Sequence, residues 1–89
     1  MRIEKELVLK NKLGLHARPA AMFVQVANKF KSDIFLSKDS QSVNGKSIMG
    51  ILTLAAEHGS IIHIVIDGPD AESMMSEVVA LFESCFREI

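Results

Sequence analysis

With 89 residues, 10 Lys plus Arg against 11 Asp plus Glu and a net charge of -1, the chain has room for one domain over residues 1–89 and no basic run that would grip nucleic acid. A chain of this size buries about 60–70% of its unfolded surface, enough to fold alone but too little to hide a deep cleft, so its chemistry belongs at the surface. One cysteine, Cys85, excludes an internal disulfide and a Cys-x-x-Cys metal site, and no stretch approaches the ~18 apolar residues of a membrane span.

Residues 3–9 alternate Ile3, Lys5, Leu7 and Leu9 with Glu4, Glu6 and Val8, a strand pattern that ends at the turn-prone run Asn11-Lys12-Leu13-Gly14. Glu4 and Glu6 also stand where a signal peptide needs an uncharged apolar run. The expectation is a cytoplasmic protein with no membrane insertion. Over residues 16–29, Ala20, Phe23, Val24 and Ala27 recur at i, i+3, i+4 and i+7 behind an early Pro19, which predicts a helix with one apolar stripe. Residues 33–37 and 41–43 read as a hairpin across Asp39-Ser40, whose side chains bond their own backbone in turns.

Ser47 is a good N-cap for a second helix over residues 48–58, and Gly59 is placed to close it in the left-handed conformation. The β-branched run at 60–67 predicts the strongest strand, with Ile62, Ile64 and Ile66 on one face and Ile61, His63 and Val65 on the other. Gly68-Pro69 ends it. From Asp70 onward Ala71, Met74, Met75, Val78, Leu81, Phe82 and Cys85 keep helical spacing, with Cys85 expected as a small buried hydrophobe. The order βαββαβα, with one apolar stripe per helix, predicts an α+β open-faced β-sandwich: a four-stranded, mostly antiparallel sheet with three helices on one face.

The chemistry-bearing residue is His16, at the junction of loop and helix. Unpaired N–H groups of a first helical turn and the positive end of the helix dipole form a site for an anion such as phosphate. Gly14 permits a tight approach, and Pro19 presets the turn. Arg18 and the helix start both disfavour an imidazolium, so the ring is expected to stay neutral and nucleophilic. Once phosphorylated, the same two features attract the new negative charge. A bare helix cap is the ordinary role for a histidine here. His58, expected against the last carbonyls of the second helix, and His63, on the solvent face of its strand, carry no metal expectation, and no cofactor is implied. Lys46 reads as a solvated charge.

Gly14-Leu15-His16-Ala17-Arg18-Pro19-Ala20 resembles the phosphorylation site of HPr, the histidine-containing phosphocarrier family of the bacterial phosphoenolpyruvate-dependent sugar phosphotransferase system. The resemblance runs over nearly the whole chain. It implies a stoichiometric carrier, not an enzyme, in which His16, through Nδ1, takes a phosphoryl group from enzyme I and passes it to IIA proteins, with Arg18 steadying the charge. Residues 43–51 resemble the HPr segment whose serine, here Ser47, is phosphorylated by a regulatory kinase, HPr kinase/phosphorylase, for the benefit of a transcriptional regulator. By the same resemblance Ala17, Ala21, Ile48, Met49 and Leu52 form the docking surface of a monomer. Of these, Met49 suits several partners best, and Leu52 is the most readily explained as core.

Three alternatives stand beside this reading. The run 11–14 and the ending 80–86 look like the nitrogen-branch paralogue NPr, whereas residues 43–51 look like the sugar branch. A serine-phosphorylated regulatory binding module would have no need of a phosphorylatable ring at His16. A small phosphatase on a similar sandwich would release inorganic phosphate instead of retaining it.

Overall fold

The β-branched run of the fourth strand sits inside the sheet, and the other elements are ordered around it. In the computed structural model, which describes residues 1–87, the elements are β1 (Arg2–Val8), α1 (Ala17–Ala27), β2 (Asp33–Lys38), β3 (Gln41–Asn44), α2 (Ile48–Leu54), β4 (Ile61–Asp67) and α3 (Ala71–Glu83), then a short 3-10 turn at Cys85–Arg87. The strand order is β1-β4-β2-β3. Ile3 and Ile34 lie opposite Ile66 from either side, Leu7 opposite Ile62, and Leu36 opposite Ile64. Every pairing is antiparallel, so the sheet is wholly rather than mostly so.

Ile34, Leu36, Ile62, Ile64 and Ile66 are fully buried under the helices, each contributing about 1.5–3 kcal/mol of transfer free energy. The helical stripes meet them as their spacing requires. Ala20, Phe23, Val24 and Ala27 of α1 are buried, as are Met74, Met75, Val78, Leu81 and Phe82 of α3. The rings of Phe23 and Phe82 meet edge to face at 6.4 Å, which joins the two helices over the sheet. The hairpin turns at Asp39-Ser40 as expected, with Lys38 opposite Gln41 and Asp39 at φ +56°.

Several sequence expectations need correction. The second helix ends at Leu54, well short of 58, and its left-handed cap is Ala55 at φ +51° rather than Gly59. The chain leaves the helix early because Ala56 is needed elsewhere: it is buried, and its carbonyl accepts the Leu15 N–H at 3.0 Å. Gly59, at φ +86°, serves the turn into β4, where its N–H donates to the Leu9 carbonyl at 2.7 Å. His58 is therefore exposed and outside any helix. The third helix stops at Glu83, and Cys85, Phe86 and Arg87 are all left-handed, at φ +53°, +54° and +56°. This reversal is held by Phe86, fully buried with its ring 5.1 Å from that of Phe82. Cys85 is only half-buried, so Phe86 occupies the apolar position expected of Cys85.

Lys46, expected as a solvated charge, is half-buried and donates from Nζ to the Phe30 carbonyl at 3.0 Å. A cation there meets a carbonyl just past the end of α1, at the negative end of its dipole. The neighbouring segment is tied by Asp70, which accepts the Lys31 N–H and the Ser32 N–H at 2.9 Å each and the Ser32 hydroxyl at 2.5 Å. Lys46 and Asp70 thus clamp the exit of α1 from two sides, fixing the helix whose other end carries His16.

Candidate phosphoryl site

His16 occupies the N-cap position of α1, with extended backbone at φ -86° and ψ -167°. Its carbonyl accepts the Ala20 N–H at 3.0 Å, the first hydrogen bond of the helix, while the ring makes no cap hydrogen bond. The ring is half-buried. The bare cap role is therefore not what the side chain does. Ala17 and Arg18, in the first helical turn, have N–H groups with no intrahelical acceptor, and Pro19 has none to satisfy. No acidic residue lies in that turn, so nothing of like charge opposes an incoming phosphoryl group.

The loop that presents the ring is held by its own backbone. Gly14, at φ +70°, donates to the Asn11 carbonyl at 3.1 Å, and Leu15 is tied to Ala56 as described above. A Cβ on Gly14 would collide with the Ala56 carbonyl oxygen and come within 3.1 Å of the Glu57 Cα. Glycine is required here by both close approach and dihedral angle. Arg18 is exposed, and its Nη1 lies 3.4 Å from the Met22 sulfur, a weak acceptor that leaves the guanidinium's charge uncompensated by any carboxylate among the described residues.

Ser47 is the N-cap of α2: its Oγ accepts the Gly50 N–H at 3.0 Å, as the sequence leads one to expect. Of the positions expected to dock, Met49 is 70% and Ile48 42% exposed, Ala17 is exposed, and Ala21 is half-buried. Helices α1 and α2, which carry these positions, pack together. Leu52, expected in the docking surface, is instead half-buried and packed against the core. Leu13, 76% exposed in the turn before Gly14, was missed. The signal was available: a large apolar side chain at a turn tip, where polar residues are usual.

His63 faces solvent and shares a 2.8 Å contact with Glu4, which also accepts from Arg2 at 3.0 Å. Those bonds, the one from Arg2 first, lower the Glu4 pKa. No group of three or more His, Cys, Asp or Glu side chains among the described residues could hold a metal ion, and no described helix is long and apolar enough to cross a membrane. An open groove of about 490 Å³ between β1 and α3 is lined by Ile3, Lys5, Met75 and Val79, and includes neither His16 nor Arg18.

Residues 3–84 match the family described as PTS HPr component phosphorylation site. The chain is 48% identical over 86 residues to the phosphocarrier protein HPr of Xylella fastidiosa, covering 97% of each. It is also 48% identical over 81 residues to the HPr-like protein Crh of Halalkalibacterium halodurans, covering 91% of this chain and 96% of that one. The crystal structure of HPr-C-His from Thermoanaerobacter tengcongensis superposes with a TM-score of 0.94 at 47% identity, over 98% of both chains. A matched phosphorylation-site family, high identity over nearly the whole length and the same fold lead to one conclusion: the chain belongs to the HPr family of phosphotransferase-system phosphocarriers.

Proposed function

We propose that this single-domain protein works in the cytoplasm as a monomeric, stoichiometric carrier, taking a phosphoryl group from phospho-enzyme I on His16 and delivering it to IIA proteins. The observation that carries this reading is the uncommitted ring of His16 at the N-cap of α1, beside N–H groups without intrahelical acceptors. In the transfer, the Nδ1 lone pair attacks the phosphorus of the donor phosphohistidine, one N–P bond forms and the other breaks, and the donor ring leaves with the electron pair. Donor and acceptor are both imidazoles, so no net proton transfer is required. Catalysis is then a matter of in-line positioning and of charge stabilisation by the helix start and the Arg18 guanidinium, with the partner completing a site that has no cleft of its own. Ile48 and Met49, with Ala17 and Ala21, supply the apolar contact.

A second reading rests on the place of Ser47: at a helix start, it is a point where a kinase for this serine would place negative charge beside the proposed docking positions and weaken partner binding. The two roles are compatible; for the carrier itself, incubation with IIA proteins of the sugar and the nitrogen branch would show which class accepts its phosphate. The decisive experiment supplies phosphoenolpyruvate and enzyme I and looks for an acid-labile, base-stable adduct of one phosphate per chain. It should vanish in His16→Ala. Labelling that survives in the variant places the acceptor elsewhere and ends the reading, and continuous release of inorganic phosphate would make the protein a phosphatase.

A further inference from the structure

We propose that Asn11 is a positioning residue for His16, through which the left-handed C-terminal turn holds the phosphoryl-accepting loop in its working posture. This deepens the carrier reading and rests on it. Asn11 lies in the turn-prone run ahead of the helix, where an asparagine normally sits at the surface. Here its side chain is fully buried. Nδ2 donates to the Cys85 carbonyl at 3.0 Å, across 74 positions of sequence, while the backbone carbonyl of the same residue accepts the Gly14 N–H at 3.1 Å. One residue thus closes the turn two positions before His16 and ties it to the far end of the chain.

The far end is an unusual support. Cys85, Phe86 and Arg87 are three consecutive non-glycine residues at positive φ, a conformation each of them disfavours. It persists because the surroundings over-determine it, with Phe86 locked in the core against Phe82 and the Cys85 carbonyl engaged by Asn11. The coupling runs in both directions: a displaced C-terminal turn frees the Asn11 side chain, and a lost Asn11 amide frees the turn. The Oδ1 of Asn11 is buried without a hydrogen-bond partner among the described residues. An arrangement that leaves an acceptor unmatched is poor as simple stabilisation, which an apolar side chain would supply without the desolvation cost. It makes sense where the donor half fixes a geometry.

The test uses the full chain with Asn11→Ala, Asn11→Asp, Phe86→Leu and the Asn11→Ala/Phe86→Leu double variant, each checked for folding by circular dichroism. Aspartate keeps the size of asparagine but, when ionised, has no donor for the Cys85 carbonyl. The expected results are a tenfold or greater loss in the single-turnover rate of phosphorylation at saturating phospho-enzyme I for both Asn11 variants, with half-saturation unchanged. Amide exchange at Gly14 and Leu15 should accelerate in parallel. In the double variant the rate should fall no further than in the worse single variant, since both act through one contact. Folded Asn11 variants with rates within twofold of the parent, and unaltered exchange at Gly14 and Leu15, would overturn the proposal, as would losses that multiply in the double variant. If the parent protein is not phosphorylated on His16 at all, the carrier reading fails, and the exchange at Gly14 and Leu15 alone still decides whether Asn11 holds the loop.

Discussion

Replacing Gly14 and Gly59 separately by alanine isolates the close approach that shapes the His16 loop. Both glycines have positive φ, +70° and +86°, so each alanine incurs a left-handed penalty of about 1–2 kcal/mol. Their surroundings differ. A Cβ at Gly59 meets nothing within 4 Å, whereas one at Gly14 runs into the Ala56 carbonyl oxygen, the same atom that accepts the Leu15 N–H. The backbone must move apart there, and a buried donor left without its acceptor adds about 1–3 kcal/mol. Gly14→Ala should therefore cost about 2–5 kcal/mol and Gly59→Ala about 1–2. For a domain of this size the difference should lower the melting temperature by at least about 4–8 °C beyond Gly59→Ala. Urea titrations of both variants, fitted with a common slope, measure the gap. Phosphorylation by enzyme I should slow in Gly14→Ala and stay near the parent rate in Gly59→Ala. Equal losses of stability in the two variants would show that the loop yields freely against Ala56, and would refute the idea that this contact presents His16.

Ser47→Ala should destabilise the protein by about 1 kcal/mol, because the Gly50 N–H loses its acceptor, while Ser47→Asp should retain most of that stability in the same urea titration. Lys46→Met keeps the length of the side chain but removes the charged bond to the Phe30 carbonyl, and should cost about 1 kcal/mol, with faster amide exchange around residues 29–31. The carboxyl of Asp70 is lowered to about 2 by the Ser32 hydroxyl first and then by the Lys31 and Ser32 N–H groups. Its folded pKa lies below the unfolded one, so the folded state resists protonation. The clamp's contribution is full above the ordinary carboxyl value of 3.8 and fades as pH falls towards about 2. Thermal melts across that interval should show an acid limb that is shallower in Ser32→Ala, and an unchanged limb would rule out this clamp as its source.

Elements with strong internal periodicity were legible in the sequence, and those whose ends answer to distant contacts were not. β4 and α1 announce themselves because isoleucines at 62, 64 and 66 and the Ala20–Ala27 stripe repeat at the strand and helix periods, and the core uses those same side chains. The end of α2 could not be read locally. Gly59 is the better left-handed residue, yet Ala55 takes that role because Ala56 must reach Leu15, a partner remote in sequence. The reversal at Cys85–Arg87 is similarly invisible, since a helical pattern continues through Cys85 and only the burial of Phe86 stops it. At the site, His16, Arg18 and Ser47 stand where their motifs place them. Asn11 was read as a turn former, and its buried amide, committed to a carbonyl at the other end of the chain, leaves no mark in local sequence.

The two helix starts differ in how far they are open to an anion. At α2 the Ser47 hydroxyl already takes the Gly50 N–H, so the donor is satisfied and the hydroxyl is engaged as an acceptor. At α1 the equivalent position holds an imidazole, which makes no such bond. The anion-attracting end of α1 is thus left open beside a side chain able to form an N–P bond. A serine at 16 would close that opening upon itself, as Ser47 does. Phosphate added at Ser47 must compete with the existing cap, whereas phosphate added at His16 meets donors that lack an acceptor within their own helix. On the proposed carrier reading, the same dipole would favour loading at the first helix, while charge added at the second would chiefly alter what docks.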